Sequence, residues 1–567
     1  MRPMRIGVLP MLFVVAVVPW SGTLLAVDTV YVNADIVTVN DEQPRARAMA
    51  VRDGRIFALG SRQSVTGTVD DGAVVLDMEG RTIVPGFIDA HGHFASGSFT
   101  TTLADLQPPP AGGVSDMKML LGELGQWMGV NPDAEWVVGR GYDDSLLAEG
   151  RHPTRHDLDT VSRDKPVAVV HISGHLMACN TRCLELAGIT AATEDPPGGV
   201  IRREAGSRQP DGVLEETAMY GVRRSLPPPD PTAAAGMIAA FQDYYASQGI
   251  TTAQDGGNDA ASIEGLRRMA AAGILEIDLV AFRRFGPGQV IPADFVPTST
   301  YEHRFRVGGI KLMLDGSPQG KTAWLTQPYH VPPRGEGAEY RGYASMPTEA
   351  LEQLIDQAVA RRIPVLAHAN GDAAADQLIH AVTRAQKRFG IGDRRTVMIH
   401  AQTVRDDQLD AMKVQGIIPS FFSAHTFYWG DWHRDSVLGA ERAKRISPLA
   451  SAAERGMPYT THNDTPVVPP DMMRLMWAST NRLTRSDEVL GEAQRVAPIE
   501  ALKSVTLNAA YQNFEEHAKG SLEPGKLADL VVLSANPLEV DPVKIKDIVV
   551  LETIKEGRTI YSLEGQR

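Results

Sequence analysis

The sequence has no long run of lysine or arginine, and its 56 Lys and Arg against 69 Asp and Glu leave a formal net charge of -13. Such a chain repels a polyanion on average, so nucleic acid is not an expected partner. Internal repeats, coiled-coil heptads and low-complexity tracts are also missing, although Pro227 to Pro231 (PPPDP) makes a short stiff linker. Hydrophobic residues make up 43% and charged residues 22%, ordinary globular usage that excludes a disordered, fibrous or multi-span membrane chain. Cysteine is nearly absent: Cys179 and Cys183 are the two in 567 residues. Neither stands near the N-terminus, which excludes a lipid-modified N-terminus. Their i, i+4 spacing would put both thiols on one face of a helix, where a disulfide is allowed but uncommon. An oxidising compartment permits one, yet a loop this short gains little chain entropy from it. Two buried, inert thiols are therefore expected.

What is present begins with Arg2 and Arg5, an apolar run from Ile6 to Val18, then Ser21, Gly22 and Ala26. This order reads as a signal peptide over residues 1–26, cleaved after Ala26, with the mature protein periplasmic or secreted and without stable membrane association. The competing reading extends the apolar stretch to Ala26 as a membrane anchor.

The length allows one large barrel with an appendage, or two to three ordinary domains. Asp28 to Asn40 and Ala48 to Gly60 alternate apolar and polar residues around turns, as hairpin strands do, and similar texture returns from Ala528 to Leu533 and Ile545 to Tyr561. Termini of a domain often lie close together, so one small β-sandwich built from residues 27–83 and 520–567 is expected. Between them, eight apolar runs alternate with helical stretches: Thr82 to Asp89, Gly249 to Asp255, Leu275 to Phe282, Val307 to Leu314, Ile363 to His368, Thr396 to His400, Gly416 to Phe422 and Met457 to His462. Runs of this kind form a parallel sheet covered on both faces. An open doubly wound sheet has the same local signature, but polar residues at the run ends favour a closed α/β (β/α)₈ TIM-like barrel over residues 84–519. A stretch from about 95 to 226, with its own strand-like Pro166 to Ile172, is too long for a loop and reads as an inserted subdomain covering the site. An exposed apolar lid there would favour a homodimer.

The first run ends in Phe87-Ile88-Asp89-Ala90-His91-Gly92-His93. An extended His-x-His projects both imidazoles to one side of the strand, within reach of one metal ion. Alone the motif is weak. It gains weight because His368, His400 and Asp464 close or follow other predicted strands, and strand ends converge on the face where barrels of this kind build active sites. Imidazole and carboxylate donors suit Zn²⁺, with Fe, Mn and Co as alternatives. Lys311 interrupts the apolar run Gly309 to Leu314, where an ammonium is costly unless paired or modified. Carbamylation by CO₂ would turn it into an anionic ligand able to bridge two metals; an ion pair with Asp315 or Asp255 is the structural alternative.

His91-x-His93, Lys311, His368, His400 and Asp464, in this order, resemble the amidohydrolase superfamily. The stretches Val84 to His91, Lys311 to Ser317, Ala367 to Asp372, Pro419 to Trp429, Thr461 to Val467 and Gly525 to Leu533 are similar to the amidohydrolase family 3 branch that includes N-substituted formamide deformylases, and the likeness runs from about Asp28 to the C-terminus. The resemblance implies a composite β-domain plus barrel, one or two Zn²⁺ ions and hydrolysis at a non-peptide C–N bond. It implies His91 and His93 on one metal, carboxylated Lys311 as bridge, His368 and His400 on the second, and Asp464 as metal-bound general base. Many members have Ser before that Asp, whereas His462 and Asn463 stand here.

His425, Tyr428 and Trp429 follow the seventh strand as candidates to polarise the carbonyl or contact substrate, with an ordinary loop cluster as the equal alternative, and His175, with His171 and Asn180, lies in the insertion, where a structural role is favoured over capping the site. Asp372 is positioned to orient the His368 imidazole. The function expected is cleavage of a formamide or other N-acyl amine by metal-activated water, with Asp464 taking and returning the proton. A deaminase, cyclic amidase or esterase on the same site, or a non-catalytic secreted metal-binding protein, are the alternatives.

Overall fold

The computed structural model describes residues 28–227 and 231–566. The expected signal peptide and its cleavage point, and most of the Pro227–Pro231 linker, lie outside the described residues.

Eight parallel strands form the central sheet: β1 (Phe87–Asp89), β2 (Ile250–Asn258), β3 (Asp278–Arg284), β4 (Phe305–Met313), β5 (Val365–Ala369), β6 (Val397–His400), β7 (Ile418–Phe421) and β8 (Thr460–Thr461). Each pairs with its sequence neighbour, in the order of a barrel. The seam between β8 and β1 is closed by loop bonds instead of a strand ladder among the described residues: Asp464 N donates to His91 O (3.2 Å) and His93 N to Thr465 O (2.7 Å). Nearly every strand residue is buried, which is why these runs read as continuous Val, Ile, Leu and Ala. The helices outside supply the second layer. Helix Thr348–Arg361 buries Leu351, Leu354, Ile355, Ala358 and Val359, one stripe at 3.6-residue spacing, and stops where Arg362 turns left-handed (φ 54°). Truncating one such leucine to alanine costs ~2–5 kcal/mol.

The expected run Thr82 to Asp89 is two strands. Thr82–Pro85 pairs antiparallel with Leu530–Leu533, and β1 starts only after Gly86, where a side chain would collide with Thr251. Sequence texture could not show this break because both halves are buried and apolar. Through that pairing the chain ends meet: a four-stranded and a six-stranded sheet share a core that includes Tyr31, Ile36, Met49, Ile83, Leu530 and Ile554. The insertion carries its own six-stranded sheet around Leu106, Leu120, Leu124, Val137, Val169 and Leu176.

One expectation is overturned there. Cys179 and Cys183 are joined as a disulfide, and they do not share a helix: Cys179 ends strand Leu176–Cys179 while Cys183 lies in helix Thr181–Leu186. The turn between them is set by Asn180, whose Oδ1 accepts from Cys183 N (2.8 Å) and Val167 N (2.9 Å), so Asn180 has a structural role.

The end of the barrel where the strands begin is closed by buried ion pairs. Asp278, first residue of β3, accepts from Lys519 Nζ (2.6 Å) and Lys555 Nζ (2.7 Å), and Lys555 also reaches Asp529 (2.7 Å). Burial would raise the Asp278 carboxyl, but the two lysines hold it well below the usual carboxylate range.

Candidate functional site

At the opposite end, where the strands finish, His91, His93, Lys311, His400 and Asp464 come together. His91 Nε2 lies 3.0 Å from Lys311 Nζ and 3.4 Å from Asp464 Oδ1; His93 Nε2 lies 3.3 Å from the same oxygen, and His400 Nε2 3.9 Å from Asp464 Oδ2. The chain is bent to do this: His400 (φ 73°) and Asp464 (φ 54°) both hold left-handed backbone, a conformation that costs non-glycine residues and clusters at functional sites. Gly256 on β2 leaves the space that the His91 ring fills.

The imidazoles are tied back on their far nitrogens. Gln254 Oε1 holds His91 Nδ1 (2.9 Å), Asp315 Oδ1 holds His368 Nδ1 (3.1 Å), and His462 Nε2 holds His400 Nδ1 (3.1 Å), with Ser420 Oγ behind His462 (2.9 Å). A partner on Nδ1 fixes ring orientation and tautomer, which is how metal-binding histidines are prepared. Burial, followed by neighbouring cationic groups, pushes the His91, His368 and His400 imidazoles well below their usual range, so they are neutral, the form that can donate a lone pair. Asp464 stays below the usual carboxylate value: burial opposes this, and His93, His462 and Lys311 outweigh it.

These residues fit a cation. One donor atom each from His91, His400 and Asp464 lie within 4.8 Å of one another, and the buried Asp464 Oδ1 accepts no hydrogen bond although imidazoles crowd it. A carboxylate oxygen left this way is expensive unless something positive meets it. Lys311 forms no ion pair among the described residues, with Asp315 and Asp255 both engaged elsewhere, and burial lowers its ammonium to about 7 against the pull of Asp464. His368 stands beside His400 with ring centroids 4.5 Å apart, its Nε2 3.2 Å from Asn370 Nδ2.

The remaining candidates divide. His175 reaches from the insertion to within 4.9 Å of the His368 ring, and Glu216 grips its Nδ1 (2.9 Å). Burial lowers the His175 imidazole, but Glu216 more than reverses this and its affinity for a proton ends up raised. His425 packs at a tilt against Trp429 (ring centroids 4.4 Å apart) with its Nδ1 on His433 (3.0 Å). Trp429 is fully buried and donates to Asp143 Oδ2 (2.6 Å), which holds the seventh-strand loop to the insertion, and Tyr428 is buried next to it. His171 belongs to this anchor, 3.1 Å from Asp144 Oδ1. Asp372 does not orient His368: its oxygens serve Thr326 N (2.8 Å), Thr326 Oγ1 and Arg405 (3.2 Å), because it begins helix Asp372–Phe389 and points away from the ring. Asp315 does that work, and its place just past β4 was the available signal. His462 was visible only as a departure from the usual pattern, and Gln254 had no signal in the sequence.

The model of the amidohydrolase family matches residues 74–561, and the chain belongs to that family. It is 26% identical to the N-substituted formamide deformylase of Arthrobacter pascens over 95% of this chain and 99% of that protein. It is 27% identical to Protein LONG AFTER FAR-RED 3 of Arabidopsis thaliana over 95% of this chain and 92% of that one. Among solved structures, an uncharacterized metal-dependent hydrolase from Pyrococcus horikoshii OT3 superposes with a TM-score of 0.69 at 22% identity, covering 91% of this chain and 99% of that chain, which supports the barrel fold. The protein is thus an amidohydrolase, a hydrolase of carbon–nitrogen bonds acting on a small molecule.

Proposed function

We propose that this protein cleaves a non-peptide C–N bond in an N-formyl or other N-acyl amine with a divalent cation, zinc in the first place, held by His91, His93, His400, Asp464 and His368. The observation that carries this reading is the set of neutral imidazoles fixed from behind around a buried, unbonded Asp464 oxygen. When bound, the cation would supply an acidified water and a Lewis acid for the carbonyl oxygen. Lys311, with an ammonium pulled to about 7, is readily neutral, the form that attacks CO₂; the resulting carbamate would add an anionic oxygen to the donor set and allow a second cation. Asp464 takes the proton from the attacking water and returns it to the leaving nitrogen. His175, kept protonatable by Glu216, contacts the substrate from above, and His425 stabilises the oxyanion. We read the two terminal sheets as the layers of a sandwich, and the chain as exported.

A panel of N-formyl and N-acyl amines, cyclic amides, esters and amino-heterocycles, assayed with zinc-replete protein, tests the assignment. Turnover of the acyclic amides above the others is expected. Preference for esters, ring amides or deamination would transfer the assignment to that chemistry, and no hydrolysis anywhere would overturn it.

A further inference from the structure

Beside the metal-ligand loop lies a cavity of about 310 Å³, between helix Phe94–Thr100, the helix bearing Phe241 and Tyr244, the insertion and the Thr465–Pro470 segment. It borders the site through Thr465, which lines it, follows Asp464 in the chain and accepts from His93 N with its carbonyl (2.7 Å). One part of the lining is apolar, formed by Leu103, Phe241, Pro466 and Val468, and the rest is polar, with Thr100, Gln107 and Thr465. Into this space comes Arg140, from the insertion strand Val137–Tyr142.

Arg140 is half-buried, yet its guanidinium donates no hydrogen bond and makes no ion pair within 4 Å among the described residues. The arginines that are fully buried among the described residues are all paired within the protein. Arg482 gives hydrogen bonds to Leu490 O, Ser447 O and Ile446 O, and Arg306 to Glu515, Thr298 O and Asn513 O. A guanidinium has five donors in a rigid fork, and one held at a cavity wall without a protein partner is free to meet a ligand in place of water. Asp105, in register with Arg140 on the neighbouring strand, is exposed at the rim and bonds Gln107 N (3.0 Å). Burial lowers the Arg140 guanidinium to about 10 against the pull of Asp105 and then Asp464, so no neighbour compensates its desolvation in full.

We propose that Arg140 receives a carboxylate carried by the amine half of the substrate, making the substrate an N-acyl amino acid with an apolar side chain. Planar carboxylates match the guanidinium fork bidentately. A volume of this size suits one apolar side chain with its carboxylate, while the acyl group faces the cation ligands. This inference rests on the N-acyl amine reading above and adds the substrate class.

The test pairs N-formyl-phenylalanine with N-formyl-phenethylamine, which lacks only the carboxylate, in the zinc-replete full chain. Wild type should prefer the acid. Arg140→Ala should lose about 10²-fold in kcat/KM on the acid and stay within about threefold on the neutral amide, and Arg140→Lys should recover part of the loss. Binding of 3-phenylpropanoate followed by calorimetry should weaken in the Ala variant by a similar factor. Equal loss on both substrates, or wild-type preference for the neutral amide, would overturn the role of Arg140 while leaving the hydrolase reading standing. Cleavage of neither amide would instead strike the hydrolase reading itself.

Discussion

The two ends of the barrel both bury charge, and they do it in opposite ways. Where the strands begin, Asp278, Asp529, Lys519 and Lys555 pair with one another at 2.6–2.7 Å and leave nothing over. Where they finish, Asp464, Lys311 and the histidines approach at 3.0–3.9 Å, an Asp464 oxygen is unbonded, and burial lowers the lysine to about 7. A closed cluster holds a fold together; an open one waits for something to be added. This is the division of labour expected of the two faces of a (β/α)₈ barrel.

Substitutions at the two ends should therefore separate activity from stability. The largest effect is expected at the open end: Asp464→Asn should lower kcat by about 10²–10⁴-fold, as loss of a general base does, with little change in melting temperature. Comparable loss of thermal stability would erase the distinction. At the closed end, Lys555→Met should destabilise by ~3–5 kcal/mol in denaturant unfolding, because it strands buried carboxylates, while activity per folded molecule holds.

The insertion offers an intermediate case. Burial pulls the His171 imidazole down, but Asp143 and Asp144 hold it up at about 9. Its folded value exceeds its unfolded one near 6.5, so its contribution is complete below that pH and disappears as pH rises through about 9. The shift corresponds to on the order of 3 kcal/mol. A melting-temperature profile from pH 6 to 10.5 should fall more steeply in wild type than in His171→Gln; parallel profiles would refute the assignment. The smallest effect belongs to the residues behind the ligands: Gln254→Ala or His462→Ala should weaken metal affinity about 10–100-fold, read by competition with a chelator.

Much of this was legible beforehand for a physical reason. Doubly buried parallel strands must be continuous apolar runs, so the eight strands stand out, and a charged or imidazole residue at the end of such a run or inside it has few reasons to be there; His91, His368 and His400 were singled out in the first way and Lys311 in the second. What stayed hidden depends on partners distant in sequence. The Asp278–Lys555 pair spans 277 residues, and nothing local marks either as buried. Asp315 rather than Asp372 orients His368 because of the direction the chain takes after β4, which spacing does not report. Nothing in the sequence singles out Arg140, whose place at the cavity beside Thr465 depends on the packing of the insertion.

Metal analysis by mass spectrometry of wild type and His400→Ala, purified without chelator and assayed in parallel for amide hydrolysis, tests the central claim most directly. The account predicts roughly one to two divalent cations per wild-type chain, well under one in the variant, and activity that falls with metal content and returns on adding zinc to chelated wild type. Full activity in chelated, metal-free wild type would contradict it.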